Sequence, residues 1–149
     1  MSDELVGAAA HGYATEDVEA ARALLSRSWH VVVGNPPYIT AKDPALNELY
    51  RTRFKTCRGK YSLAVPFTER FFQLARFEAE KERAGYVGLI NANSFMKREM
   101  GKSLIENWFP LYDVTHVIDT SGAYIPGHGT PTVILFGRHR GPSRQPFVP

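Results

Sequence analysis

Apolar residues in this chain follow two different spacings, and these spacings divide it into helices and strands. Helical spacing recurs in some segments, and short β-branched runs lie between them. The helices are predicted at residues 15–27, 43–53, 67–83 and 98–108, with Gly85 placed just after the third. The strands are predicted at residues 30–33, 86–91, 114–118 and 132–136.

The order of these elements predicts an α/β fold. Strands separated by helices typically form a parallel sheet, because a parallel pair needs a crossover connection. The last two strands are instead joined by a Gly- and Pro-rich loop of about a dozen residues. We therefore predict a parallel sheet finished by an antiparallel edge strand. The residues predicted to form apolar helix faces are Val18, Ala21, Leu24 and Leu25 in the first helix and Phe67, Phe71, Leu74 and Ala75 in the third.

The most informative segment is Asn35-Pro36-Pro37-Tyr38, which directly follows the apolar run Val31-Val32-Val33-Gly34. In open α/β sheets, ligands bind just beyond the carboxyl ends of the strands. An amino group on a heteroaromatic ring is a poor nucleophile because its lone pair is delocalised into the ring. Its two N–H bonds therefore need acceptors, and the side-chain oxygen of Asn35 and the carbonyl oxygen of Pro36 can serve.

The rest of the loop suits a flat substrate. Adjacent prolines restrict the backbone, so the acceptors are oriented before a ligand arrives. Tyr38 offers an aromatic face, and stacking a base on such a face is worth about 1–3 kcal/mol in single-strand binders. The plainer alternative is a Pro-Pro turn that ends the strand, with Tyr38 packed on the surface.

Several segments, beginning with this loop, resemble a known family. Residues 29–39 are similar to the catalytic strand and loop of amino-group DNA methyltransferases of the adenine-N6 kind. Further matches lie at residues 60–63 with 67–72, and at residues 85–91 with 93–95. The segment Val117–Phe136 resembles in particular the PglX methyltransferases of BREX phage-defence systems.

The resemblance implies a partial Rossmann-like methyltransferase sheet and a site-specific DNA adenine N6-methyltransferase. In such an enzyme, S-adenosylmethionine donates a methyl group to an adenine flipped out of double-stranded DNA. Phage defence or restriction-modification is the implied setting, with other phage-defence subunits as further partners. The residues that the resemblance marks as catalytic are Asn35, Pro36, Pro37 and Tyr38, of which Tyr38 also stacks on the base.

A second loop is implied to help hold the flipped base. Tyr124 is the best match for this role, and Ile125 is the rival because it directly precedes a proline. A plain packing role for Tyr124 remains open. The same loop almost spells a phosphate-binding motif, but His128 stands where lysine belongs and the loop leads into a strand. We therefore reject an NTPase.

The cofactor site is only partly represented. Members of the family hold S-adenosylmethionine with a glycine-rich turn after the first strand and an acidic residue after the second. Nothing before Trp29 combines a strand with such a turn, so Asn35 is expected to border the cofactor as a partial site only. The chain is expected to be the C-terminal half of a catalytic domain and to be inactive alone. The predicted divisions are an N-terminal segment with a helix at 1–28, the partial catalytic domain at 29–137 and a basic tail or linker at 138–149.

Composition limits the class of protein but does not indicate a function. A length of 149 residues with 44% hydrophobic residues is typical of one globular domain. Cys57 is the single cysteine, which excludes an internal disulfide, and its polar neighbours predict a free surface thiol. The histidines show no spacing typical of a metal site. We expect a cytoplasmic protein that needs no metal and contacts no membrane.

Basic residues cluster in two segments, one within the predicted domain and one near the C-terminus. The net charge is only +3, but Arg51, Arg53, Lys55, Arg58 and Lys60 follow the Asn35–Tyr38 loop, and Arg138, Arg140 and Arg144 lie near the C-terminus. Beside a base-binding site these cations would contact phosphates. The alternative is a solvated basic surface.

Two other functions fit parts of the same pattern. A methyltransferase acting on a protein glutamine amide (N5) resembles this loop and faces the same electronic problem. A non-catalytic DNA-binding or assembly module derived from a methylase would keep the fold without the chemistry.

Overall fold

The computed structural model describes residues 18–79, 83–96, 99–123 and 129–143. Helices are α1 (Val18–Ser26), α2 (Pro44–Arg53) and α3 (Ala64–Leu74), and strands are β1 (Val31–Gly34), β2 (Tyr86–Ala92), β3 (Asp113–Asp119) and β4 (Thr132–Arg138). Short 3-10 turns occupy Asn93–Phe95, Glu99–Gly101 and Phe109–Leu111, and Ser103–Trp108 is a π-helix. Within these ranges, no helix has the length and apolar character that crossing a bilayer requires.

The four strands form one mixed sheet in the order β1-β2-β4-β3. The strands β1 and β2 are parallel, with Val31 opposite Tyr86, whereas β4 runs antiparallel to both β2 and β3. The predicted α/β class and the antiparallel terminal hairpin are confirmed. The hairpin strand lies between β2 and β3 rather than at an edge, because the loop after β3 brings β4 back beside β2.

One face of the sheet is covered by α3 and the π-helix. The Phe72 side chain of α3 is fully buried, with its ring centroid 4.9 Å from that of Trp108 and 5.5 Å from that of Tyr112. Gly137 of β4 lies beneath this ring, since a Cβ atom there would come within 2.5 Å of Phe72 Cζ. The large apolar strand residues buried on this face are Val87, Leu89, Val133 and Leu135.

The opposite face of the sheet, which we call the open face, leaves apolar side chains exposed. Gly88 lies at its centre, where a Cβ atom would be 3.3 Å from the side chains of Val33 and Phe136. Val33 is 70% exposed and Phe136 is 41% exposed. The other large apolar side chains exposed here are Val31, Tyr86 and Ile118.

The first helix is confirmed, but its predicted apolar stripe is not buried. No residue of α1 is buried, and Val18, Leu24 and Leu25 are each about half exposed. The stripe therefore does not contribute to the core formed by the described residues.

The third helix ends earlier than its spacing predicts. It stops at Leu74, because the next residue, Ala75, pairs with Trp29 in an isolated parallel bridge. The amide of Arg76 then donates to the carbonyl of Trp29 at 2.8 Å. Gly85 does not cap a helix: a Cβ atom there would overlap the Trp29 carbonyl oxygen and the Arg76 amide. The prediction of a helix to residue 83 is therefore wrong.

Ion pairs close the edge of the sheet where β1 and β2 begin, which we call the amino edge. Asp113 Oδ2 lies 2.7 Å from Arg138 Nη2 and 2.6 Å from Arg140 Nε. Arg140 also reaches Glu78, with 3.3 Å between Nη1 and Oε1. The Asp113 side chain is only 6% exposed, so both arginines neutralise a nearly buried carboxylate.

Candidate active site

The Asn35–Tyr38 loop leaves the sheet at the end opposite to these ion pairs, which we call the carboxyl edge. Gly34, the last residue of β1, pairs with Leu89, so the loop emerges beside the end of β2. Pro36 is buried, while Asn35 and Pro37 are exposed. The buried proline anchors the loop and leaves the carboxamide of Asn35 on the surface.

The hydroxyl of Tyr38 links the loop to itself and to β2. It lies 2.7 Å from Asn35 Oδ1 and 3.2 Å from the carbonyl oxygen of Ile90. Burial raises the pKa of Tyr38 above its ordinary value of 10.0, so the hydroxyl stays protonated and able to donate near neutral pH. A carboxamide oxygen has two lone pairs. Asn35 Oδ1 is therefore oriented by Tyr38 and retains capacity to accept another hydrogen bond.

Polar residues at the end of β2 connect it to the turn after β3. The buried Asn93 donates from its side-chain Nδ2 to Ser121 Oγ at 2.6 Å, and its backbone amide donates to the Pro131 carbonyl at 2.8 Å. Ser121 in turn donates from both its amide and its hydroxyl to Asp119 Oδ1. Asp119 therefore stabilises the turn that follows β3.

Asn91 contributes a further buried amide near this edge. Its Nδ2 atom lies 3.3 Å from Thr68 Oγ1, and its buried Oδ1 atom has no hydrogen-bond partner among the described residues. Sequence reasoning missed the roles of Asn91 and Asn93. Their signal was available: polar side chains at the end of an apolar strand that precedes a loop.

The structure brings Asn35 and Tyr38 together through this hydrogen bond, with Pro36 and Pro37 between them. Tyr124 and Ile125 lie outside the described residues. Their proposed contact with a flipped base therefore stays a prediction.

The long connection after the loop is fixed to the core by a buried carboxylate. Glu69 on α3 is 3% exposed and accepts hydrogen bonds from the amide and hydroxyl of Thr56, at 3.0 and 2.8 Å. The neighbouring Cys57 is fully buried, so the prediction of a surface thiol is wrong. Burial, together with the charge of Glu69, raises the pKa of Cys57 to about 11. A thiol held protonated in this way is a poor nucleophile.

The basic residues near the C-terminus do not flank the loop. Arg138 lies opposite Tyr86, at the start of β2, and both Arg138 and Arg140 are paired with Asp113. The expectation that they contact phosphates beside the Asn35–Tyr38 loop is wrong for these two arginines, because they lie at the amino edge. Arg144 is outside the described residues.

No group of three or more His, Cys, Asp or Glu side chains in the described part of the chain is placed to hold a metal ion. The polar groups that the described carboxyl edge offers are amides, hydroxyls and one exposed carboxylate, Asp119.

Comparison with known sequences gives consistent matches. The sequence model of a family described as Eco57I restriction-modification methylase matches residues 8–125. The chain is 58% identical over 152 residues to the adenine-specific methyltransferase PglX of Streptomyces coelicolor, covering 99% of this chain and 12% of that protein. It is 30% identical to the type II methyltransferase M.PaeR7I of Pseudomonas aeruginosa, covering 80% of this chain and 21% of that protein. The chain thus spans a small part of each relative.

Solved structures with the same fold include methyltransferases at low sequence identity. A class I S-adenosylmethionine-dependent methyltransferase structure from Listeria monocytogenes superposes with a TM-score of 0.59 at 14% identity, over 84% of this chain and 35% of that one. A chain of a cryo-electron-microscopy DrdV–DNA complex gives a TM-score of 0.56 at 14% identity, over 85% of this chain and 15% of that one. At these identities the likeness concerns the fold alone.

Proposed function

The chain belongs to the family of Eco57I restriction-modification methylases, and from that premise we propose that it forms the base-binding part of a DNA adenine-N6 methyltransferase. The observation that carries the proposal is the 2.7 Å hydrogen bond between Tyr38 and Asn35 Oδ1 at the end of β1. It orients an acceptor, on a loop anchored by a buried proline, at the sheet edge where α/β proteins bind ligands.

In this proposal the loop makes the adenine amine reactive. The Asn35 Oδ1 atom and the Pro36 carbonyl oxygen accept hydrogen bonds from the two N–H groups of the amine. These hydrogen bonds localise the lone pair of the amine on its nitrogen. Tyr38 stacks on the base, and its hydroxyl holds Asn35 in place. Because the acceptors are oriented in advance, little ordering is needed at the moment of reaction. The amine would then accept the methyl group directly, without a covalent enzyme intermediate, and would lose one of its N–H protons to water.

S-adenosylmethionine supplies the methyl group when it is bound. Asn35 fits a position beside that methyl group, because its carboxamide is exposed at the carboxyl edge. The described loops at this edge do not combine a glycine-rich turn with a following helix. We therefore propose that most contacts to the cofactor come from elsewhere in a longer polypeptide, and that the isolated chain has little activity.

The proposed substrate is double-stranded DNA from which one adenine is flipped. An extruded base exposes its amine and both faces, which a base within the duplex does not. Similarity to PglX and to a type II methyltransferase supports a role in phage defence or in restriction-modification. Partner subunits of such a system belong to the same proposal.

Substitution of Asn35 tests this function. In the full-length polypeptide that carries this sequence, Asn35→Ala should lower methyl transfer to adenine at least about 100-fold, as loss of one oriented polar group does in other active sites. Asn107→Ala removes an equally exposed carboxamide on the π-helix and should leave the rate unchanged. Transfer of labelled methyl groups from S-adenosylmethionine to DNA measures both variants.

Three results would refute the proposal. Unchanged turnover of Asn35→Ala would exclude this loop as the amine-activating site. Methylation of a glutamine amide in a translation release factor, with none in DNA, would assign the loop to the glutamine class instead. DNA affinity without cofactor binding by the full-length polypeptide would indicate a non-catalytic module.

A further inference from the structure

A cleft of about 550 Å³ lies beside the Asn35–Tyr38 loop, between residues 40–48 and residues 59–61. The cations among its lining residues are Lys42, Arg51 and Lys60, and we call it the basic cleft. Glu48 is the carboxylate among its described lining residues. The balance of charge in the basic cleft therefore favours an anion.

The walls of the basic cleft are joined by hydrogen bonds. Arg51 Nη2 donates to the Gly59 carbonyl at 2.7 Å, and its guanidinium lies 5.6 Å from the centroid of the Tyr61 ring. The Tyr61 hydroxyl donates to Asn47 Oδ1 at 2.8 Å, and Asn47 Nδ2 donates to the Ala41 carbonyl at 2.7 Å. Gly59 adopts a φ of 60°, which favours glycine at this bend. The cleft is thus preformed rather than dependent on a ligand.

The two lysines differ from the arginines at the amino edge. Within the described part of the chain, neither Lys42 nor Lys60 forms an ion pair, whereas Arg138 and Arg140 share Asp113. Arg51 offers five N–H donors, of which the Gly59 carbonyl occupies one. The basic cleft consequently presents positive charge that the protein does not neutralise through ion pairs of its own.

The helix beside the cleft does not supply the anion site. Asp43 Oδ1 already accepts hydrogen bonds from the amides of Ala45 and Leu46, at 2.8 and 3.4 Å. The Asp43 carboxylate therefore caps the N-terminus of α2, and Pro44 has no amide hydrogen to donate. Any anion in the cleft must be held by the long side chains of Lys42, Arg51 and Lys60. Such side chains suit a phosphate on a mobile polymer backbone better than a buried free ion.

The position of the cleft relates it to the proposed base site. Thr40 lines the cleft and follows Tyr38 by two residues, so their Cα atoms are at most about 7 Å apart. The Leu63 amide donates to the Ile39 carbonyl at 2.8 Å, which holds the intervening backbone. A base stacked on Tyr38 would bring a phosphate of its own strand to this side of the loop.

We propose that the basic cleft binds a backbone phosphate of the DNA strand that carries the flipped adenine, next to that adenine. The inference rests on the proposed function, because it takes DNA as the substrate. It adds a positioning contact: the phosphate fixes the strand while the base enters the Asn35–Tyr38 loop.

The test measures DNA binding rather than methyl transfer, so it can succeed or fail independently of Asn35. The probe is a duplex in which one adenine lies opposite an abasic position, which lowers the cost of extruding it. In the full-length polypeptide, Lys42→Ala combined with Lys60→Ala should weaken binding about three- to tenfold and lower the slope of log affinity against log salt by about one. The double variant should unfold at the wild-type temperature, since both lysines are exposed.

A control variant removes the same charge elsewhere. Arg22→Ala combined with Arg27→Ala replaces two exposed cations at and just after α1. It should leave the salt slope unchanged. Equal losses in the two double variants would mean that net charge alone is responsible, and would overturn the proposal.

A second arm locates the phosphate. Methylphosphonate groups, which lack the negative charge, replace the phosphates next to the adenine one at a time. One replacement should weaken binding by wild-type protein and have no effect on the double lysine variant, as expected for interacting partners. Equal losses in both proteins at every position would overturn the proposal. A third outcome is saturable binding of inorganic phosphate that requires both lysines, while the double lysine variant keeps the DNA affinity of the wild-type protein. This outcome would mean that the cleft binds a small anion instead.

Discussion

The two edges of the sheet use their polar side chains in opposite ways. At the amino edge, Asp113 is surrounded by Arg138 and Arg140, so the charges cancel within the protein. At the carboxyl edge, Asn35 and Tyr38 form an uncharged pair whose acceptor remains accessible. One edge holds the fold together, and the other is available to a ligand.

The comparison shows that the number of cations in a segment does not locate a binding surface. Arg138 and Arg140 look as suitable for phosphate as Lys42 and Lys60 when only the sequence is read. What separates them is a carboxylate that lies far away along the chain but next to them in the fold. Pairing within the protein, rather than charge, identifies which cations a ligand can reach.

The largest effect in stability is expected at the amino edge. Asp113→Ala leaves two guanidinium groups without their carboxylate and should lower the free energy of unfolding by about 3 kcal/mol. This value is at the lower end of the range for a broken buried ion pair, because both arginines are partly exposed. Glu78→Ala removes an exposed partner and should cost less than about 1 kcal/mol. Urea unfolding measures both, and equal losses would contradict the distinction between the two carboxylates.

A smaller effect, confined to activity, is expected at the carboxyl edge. Tyr38→Phe keeps the ring but removes the hydroxyl that orients Asn35, so methyl transfer should fall about five- to tenfold, corresponding to about 1 kcal/mol for one hydrogen bond. Tyr38→Ala should lose a further 1–3 kcal/mol, roughly, through stacking. Rates for the full-length polypeptide measure both variants. If Phe and Ala were equally impaired, the ring would have no role in base binding.

An effect confined to alkaline pH concerns Cys57, which lies in the core beneath the connection that follows the Asn35–Tyr38 loop. Its pKa is raised from 9.0 to about 11, so the unfolded chain loses the thiol proton first as pH increases. The resulting contribution to stability is complete below pH 9.0 and disappears as pH rises to about 11. Urea unfolding across this range should show a shallower decline for Cys57→Ala than for wild-type protein. Parallel declines would mean that the thiol is not shielded in the folded state.

Local patterns predicted much of the fold and the centre of the candidate site. The β-branched run before Gly34 and the prolines after it are local signals, and the structure has the strand followed by a loop without regular secondary structure. Helix α3 contains the aromatic residues whose spacing predicts it, but it begins at Ala64 rather than residue 67. It ends at Leu74 because Trp29, distant in sequence, pairs with the next residue. Spacing within a segment carries no information about such a partner.

The errors at Cys57 and at the C-terminal arginines have the same origin. Lys55 and Arg58 indicate a solvated environment for Cys57 when only the sequence is considered. In the fold, Glu69 accepts hydrogen bonds from the backbone amides of Lys55 and Thr56, and the Cys57 thiol is buried. The sequence around Arg138 and Arg140 likewise indicates solvated side chains. In the fold, Asp113 lies beside both of them. In both cases a carboxylate distant in sequence decides the environment.

The open face has a practical consequence for work with these residues. Val33 and Phe136 present apolar surface that water solvates poorly, and surfaces of this kind promote aggregation when nothing covers them. Produced alone at high concentration, the 149-residue polypeptide should form multimers and engage chaperones in the host cell. A solubilising fusion is therefore the sensible starting point for purification.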